Sequence, residues 1–206
     1  MAHPENVDVL DENGNPTGEL ITHTGSNLAG LWHAGVHVAL YTKDRRVLLQ
    51  QRSKAIMFYP GLWELGIGGV VGAGESIQDA AVRETFEEVG AHVQNLEYVT
   101  RWKYNHHLPT QGMHSKVFLY SYIAEFDPSH LKLQKSEVQG VRLAPLNDVH
   151  NVLFNHKGLP QVHLLPYEGY YRQMLTAIEG RLSHSNWLPS ADTINPEVKE
   201  EVHEQI

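Results

Sequence analysis

Hydrophobic and polar residues alternate along this chain with a period of two in some stretches and about 3.6 in others, and the changes of period mark its elements. VDVLDENGNPTGELIT reads as two short strands around Asn13-Gly14, a strong turn dipeptide, and the loop HTGSNLAG follows. In WHAGVHVALY, Ala34, Val36, Val38 and Leu40 fall on one face, and His33, Gly35, His37 and Ala39 on the other. KDRR is a turn and VLLQQR a second strand, so these two strands are expected to pair as a hairpin. PGLWELGIGGVV is a short strand running into a glycine loop. EYVTRWKY and SKVFLYSYIAEF read as long strands joined by the loop NHHLPTQGMH, and VQGVRLAPL as a shorter one. NDVHNVLFNH and YEGYYRQMLTAIEGRL carry helical spacing, the second with Tyr171, Met174, Leu175 and Ile178 on one side. This mixture predicts an α/β (α+β) domain, a mixed β-sheet with helices packed on it. From about Pro189 the tail is polar and acidic and is expected to be partly disordered.

The clearest helical period runs from Ser76, a candidate N-cap, to Val89. At about 100° per residue, Val82, Phe86 and Val89 form a narrow apolar stripe expected to face the core. Glu84, Glu87 and Glu88 gather on the opposite side, at spacings that make their side chains neighbours. Arg83 stands four residues before Glu87 and can offset one of the charges. Read alone, the three acids are the wet face of an amphipathic helix. A glycine-rich run just upstream raises the other reading, a cradle for something of opposite charge.

Composition narrows the choice. A chain of 206 residues suits one good-sized domain with a terminal extension. No stretch approaches the roughly 18 apolar residues of a membrane span, and the polar, acidic start lacks the features of a signal peptide. A cytoplasmic location is therefore the default expectation. The absence of cysteine excludes disulfides, thiolate metal sites and cysteine nucleophiles together. A net charge of −8 argues against general nucleic-acid or anionic-membrane binding. It still admits a small phosphorylated substrate, received by a bound cation or by local Arg and Lys side chains.

Spacing decides between the two readings of the helix. Gly69, Glu75, Arg83, Glu84, Glu87, Glu88 and Gly90 stand in one fixed pattern, with five residues between the first two and seven between the next two. At about 5–7% usage per residue type, seven fixed positions recur by chance on the order of once in 10⁹ starts. The pattern is that of the Nudix box, and the chain resembles the Nudix hydrolase family. The resemblance implies an α/β/α sandwich with a mixed sheet over residues 31–185, a hairpin and loop over 1–30 and a tail over 186–206. It also implies a loop–helix–loop that binds Mg²⁺ or Mn²⁺ and cleaves a diphosphate linkage in a small molecule. By position, Glu84, Glu87 and Glu88 would be metal ligands, joined by the backbone carbonyl of Gly68 or Gly69. Glu75 and Arg83 would tie the loop to the helix. Thr85 and Ala91 stand where the family carries bulkier aliphatics. The chemistry suits these residue types: hard divalent cations prefer oxygen donors and can neutralise a diphosphate, and a carboxylate can serve as general base.

HAGVHVALY, VLLQQRS and PGLWELGIGGVVGAGES further resemble the isopentenyl-diphosphate-isomerase-like branch of the family. The isomerases carry a catalytic cysteine and a metal-binding histidine where this chain has Gly68 and Val70. His33 matches another isomerase metal position but lacks its partners. Hydrolysis of a nucleoside di- or triphosphate or a related derivative is therefore the leading expectation, with isomerase chemistry or a non-catalytic nucleotide sensor as alternatives. Glu137, in SEVQGVRLAPLNDV, is a candidate further ligand or base. Arg52 is a candidate phosphate contact. Trp32, His33, Tyr104 and His106 are candidate substrate contacts, His106 and His107 being placed in a loop over the cleft. The Tyr-rich helix from Tyr167 and the acidic tail are compatible with a homodimer.

Overall fold

β3 (Trp32–Tyr41) carries apolar residues on both faces, and both faces are buried. This is a computed structural model, and it describes residues 5–23, 30–56, 58–93, 95–108, 112–155, 167–183 and 199–204. On one side of β3, Val36, Val38 and Leu40 pack against α1 (Ile77–Val89). On the other, Ala39 and Tyr41 join the core beneath α2 (Leu146–Asn155) and α3 (Glu168–Ser183). Strand neighbours that bury both faces of a sheet under helices give the sandwich that the alternation predicts. α3 contributes Tyr170, Tyr171, Met174, Leu175, Ala177 and Ile178, including all four residues of its expected apolar side.

Further strands extend this framework. β1 (Glu5–Leu10) and β2 (Pro16–His23) form the expected hairpin, its turn closed by the Asp11 carboxylate accepting from the Asn13 and Asn15 amides. β7 (Glu97–Leu108) and β8 (Met113–Glu125) pair antiparallel, and β8 runs parallel to the whole of β3. The order is β10–β7–β8–β3–β1–β2, β10 being Lys199–Glu204, which lies parallel to Trp102–His107. Most of the tail expected to be partly disordered, and most of the HTGSNLAG loop, lie outside the described residues.

Three local expectations change. β3 and β4 (Arg46–Arg52) meet at one pair only, Tyr41↔Val47, rather than as a full hairpin. β4 instead pairs with β5 (Trp63–Leu65) and β9 (Val138–Pro145), while β6 (Ile67–Val70) takes the β3 edge. His106 and His107 belong to β7, because Asn105–Leu108 find cross-strand partners in Met113–Lys116. In α1, Val82 and Phe86 are exposed, at 39% and 49%, and the buried face is Ala80, Ala81, Glu84, Thr85, Glu88 and Val89. The helix is rotated so that small residues meet the sheet and two carboxylates point inward. Phe86 rests on His92 at the surface, and the Thr85 hydroxyl donates to the Ala81 carbonyl, which satisfies it inside the core. The N-cap is the expected one, and the structure adds a C-cap. The Ser76 hydroxyl accepts from the Asp79 amide, and Gly90 closes the helix at φ 71.

His33 is buried on β3, and burial pushes its pKa down from 6.5 to about 4. Between those values the unfolded chain binds the proton and the folded one refuses it, so stability falls as pH is lowered from 6.5 towards 4. The loss from this residue is on the order of 3 kcal/mol. Urea unfolding across that range should show a lower midpoint at acid pH, with a shallower decline in His33→Gln.

Candidate active site

β3 and β4 diverge after Tyr41↔Val47, β6 taking the β3 edge and β5 the β4 edge, and glycines carry the chain from one to the other. Gly66, between β5 and β6, has φ 107, and a Cβ there would lie 2.4 Å from the Val38 carbonyl oxygen. No other residue fits that corner. Gly69, on β6, lies directly under α1: a Cβ would sit 2.0 Å from Cδ of Glu84. The missing side chain is what lets a carboxylate of the helix rest on the strand backbone. The N-terminal hairpin braces the connection, since the Ala73 amide donates to the Asn6 carbonyl and the Gly74 amide to the Asp8 carboxylate.

Arg83 organises the near side of the cleft. Its Nε and Nη2 donate to the two oxygens of Glu75, each at 2.8 Å, a bidentate pair of the strong kind. Nη1 reaches Glu84 at 2.8 Å and Glu87 at 3.3 Å, and Nη2 also reaches the Val70 carbonyl at 3.0 Å. The second oxygen of Glu75 accepts from the Gly72 amide. One guanidinium thus ties the glycine loop, β6 and α1 together, and its hydrogen bonds hold the Glu75 pKa below the usual carboxylate range. Glu87 stands half-exposed at the rim, while Glu84 and Glu88 are buried.

Deeper in, carboxylates from separate elements face one another. Glu88 is 3% exposed, and its pKa is pushed well above the carboxylate range by burial first, then by the charges of Glu64, Glu137 and Glu84. Glu64, buried on β5, accepts from Gln50 and Arg52 at 2.8 Å each on one oxygen, and its other oxygen lies 3.9 Å from Nε2 of His37. The buried Tyr170 hydroxyl meets Nδ1 of His37. Burial raises the phenol pKa and lowers that of the imidazole to about 4, so the hydroxyl donates. Glu137, just before β9, has one oxygen fixed by the Gln134 amide at 2.9 Å. Arg52 donates its Nε to the Phe58 carbonyl at 3.0 Å.

The structure therefore brings together Gly68, Gly69, Glu75, Arg83, Glu84, Glu87, Glu88, Glu137 and Arg52. It does not bring the remaining candidates to them. Trp32 packs on Phe118 beneath the ammonium groups of Lys103 and Lys116. His33 turns Nδ1 to the Leu31 carbonyl. Tyr104 is stacked between Trp102 and His106 in the core under α3, and His106 also packs against Tyr167. Sequence reasoning missed Glu64, Gln50 and His37. The available signal was a glutamate inside the otherwise apolar run LWELG.

Among the described residues, no three acidic or histidine side chains converge closely enough to enclose an ion unaided. The donor set still suits a hard cation. It is all oxygen, the charges of Glu64, Glu137 and Glu84 add to burial in raising the Glu88 pKa, and a divalent charge would relieve that repulsion.

A NUDIX domain model matches residues 31–165. The chain belongs to the Nudix family. It is 31% identical over 175 residues to an uncharacterized Nudix hydrolase of Listeria monocytogenes, covering 77% of this chain and 99% of that one. An isopentenyl-diphosphate Delta-isomerase of Kocuria rhizophila is 32% identical over 96 residues, 47% of this chain and 53% of that protein. The crystal structure of DR0079 from Deinococcus radiodurans superposes with a TM-score of 0.58 at 17% identity, over 75% of this chain and 91% of that one, a likeness of fold. The protein is thus a Nudix hydrolase of the isomerase-like branch, an enzyme class that acts on pyrophosphate bonds of small molecules and generally uses divalent metals.

Gly69→Ala should displace Glu84 without unfolding the protein. A misplacement of about 1 Å in a catalytic group can cost on the order of 10²-fold. We expect a loss of at least about tenfold in kcat/KM with an unchanged circular dichroism spectrum.

Proposed function

We propose that this enzyme hydrolyses a diphosphate linkage in a nucleoside di- or triphosphate or a nucleoside diphosphate derivative, with Mg²⁺ or Mn²⁺ as cofactor. The observation that carries the reading is that Glu84 and Glu88 of α1 are buried beside the glycine strand, with Glu64 and Glu137 from two other parts of the chain near enough for their charges to add to burial in raising the Glu88 pKa. Buried like charges are costly unless something compensates them, and sites that hold them are functional more often than structural.

Glu84, Glu87 and Glu88 would hold the metal, with the Gly68 or Gly69 carbonyl beside them. When bound, the metal supplies charge neutralisation for the diphosphate and acidifies an attacking water. Arg83 and Glu75 keep the helix acids in register with the glycine loop. Glu137, whose carboxylate accepts from the Gln134 side chain while the Gln134 amide bonds the Glu88 carbonyl of α1, would take the proton from that water. Arg52 offers N–H groups to a phosphate oxygen. Burial of Glu84 and Glu88 keeps bulk water from screening these charges.

Isomerase chemistry is disfavoured on structural as well as chemical grounds. A Cβ at Gly68 would lie 3.0 Å from Cδ2 of His37, so the ring crowds the place where an isomerase carries its cysteine. The chain has no cysteine elsewhere to replace it.

A panel of nucleotides and other diphosphates, assayed with each metal, tests the reading. Hydrolysis of at least one member should disappear with EDTA and return with Mg²⁺ or Mn²⁺. Glu87→Gln and Glu88→Gln should each lower kcat by about 10²-fold or more. Undiminished activity in both variants would remove α1 from the catalytic centre, and conversion of isopentenyl diphosphate to dimethylallyl diphosphate would favour the isomerase.

A further inference from the structure

We infer that Glu64 is a positioning residue, which holds Arg52 off Glu88 and aims its remaining N–H groups at a substrate phosphate. This rests on the metal-dependent reading above, but its geometry stands separately. Arg52 is held from two directions, through Nε by the Phe58 carbonyl and through Nη1 by Glu64. Its Nη2 makes no hydrogen bond among the described residues. The Phe58 carbonyl is itself set by a constrained backbone, since Tyr59 adopts φ 50. Such a conformation is uncommon for a residue of this kind and persists where its surroundings impose it.

Arg52 bonds Glu64, and the Glu64 and Glu88 charges both act to raise its pKa. An unheld guanidinium beside a buried carboxylate would swing to form an ion pair with it, because planar bidentate pairing is the favoured contact of arginine. Arg52 would then occupy the helix acid needed for a cation and would turn away from the phosphate. Glu64 prevents this by being the better-placed partner. It is anchored by the Gln50 amide at 2.8 Å and by backbone pairing of β5 with β4 at Gln50↔Glu64. A purely structural ion pair would need none of this fixing, and it would not leave one end of the guanidinium unspent.

The test is a double-mutant cycle read by Mn²⁺ binding, followed by electron paramagnetic resonance without turnover, and by steady-state kinetics. Glu64→Leu should weaken Mn²⁺ binding about tenfold and raise KM about tenfold, with kcat less affected. Arg52→Ala should raise KM by a similar factor while leaving Mn²⁺ affinity unchanged. The double variant should regain the Mn²⁺ affinity of Arg52→Ala and add no further increase in KM. If the double variant binds Mn²⁺ as weakly as Glu64→Leu, or if the KM effects multiply, the inference is overturned. Should Glu64→Leu fail to fold, Glu64→Asp replaces it and is expected to show the same defects, while Glu64→Gln keeps an acceptor for Arg52 and should raise KM by less than Glu64→Leu does. A wild type that binds Mn²⁺ but hydrolyses no diphosphate would refute the proposed function, and the Mn²⁺ cycle would still decide the role of Glu64.

Discussion

Repulsion among buried carboxylates is the constraint to which the rest of this structure answers. Glu84, Glu88 and Glu64 are buried and Glu137 half-buried, and burial first, then the charges of the other three, pushes the Glu88 pKa up. An arrangement of this kind persists only if each charge has a partner or a use. Arg83 supplies the partner on one side, bonding Glu75, Glu84, Glu87 and the Val70 carbonyl at once. Arg52 supplies it on the other, through Glu64. What these two guanidiniums leave uncompensated is the negative charge at the centre.

The sheet makes room for that centre by dividing. Beyond Tyr41↔Val47, β3 and β4 part, so that β6 pairs with β3 and β5, with Glu64, pairs with β4. The division depends on Gly66, whose backbone turns against the Val38 carbonyl, and on Gly69, which yields its side-chain volume to Glu84. Fold and chemistry are therefore coupled at particular atoms. The same glycines that permit the strand exchange also bring a carboxylate onto the backbone.

Rotation of α1 shows how a correct element can carry a wrong orientation. Its limits and caps follow from Ser76 and Gly90, yet the stripe Val82–Phe86–Val89 is not the buried one. Hydrophobicity favours burying that stripe, but Arg83 bonds Glu84 on the inner side and Gly69 leaves room for it. Ala80 and Ala81 allow the closer approach to the sheet. Val82 and Phe86 remain exposed, while Val89 is buried with Ala80 and Ala81.

Much of this protein was legible along the chain because the determining interactions are local. The hairpin turn, the N-cap of α1, the amphipathic side of α3 and the Arg83–Glu87 spacing each depend on residues a few positions apart. The box pattern identified Glu84, Glu87, Glu88, Glu75 and Arg83 for the same reason. Glu64, Gln50, His37 and the far end of Arg52 were not legible, since their partners lie on other strands and the contacts exist only after β4 leaves β3. His106 and Tyr104 looked available to a ligand for the opposite reason. A linear reading could not see that they stack on each other beneath α3. By itself the sequence determined the elements and the acid pattern. Tertiary structure decided which faces turn inward, because that depends on packing and charge across distant segments.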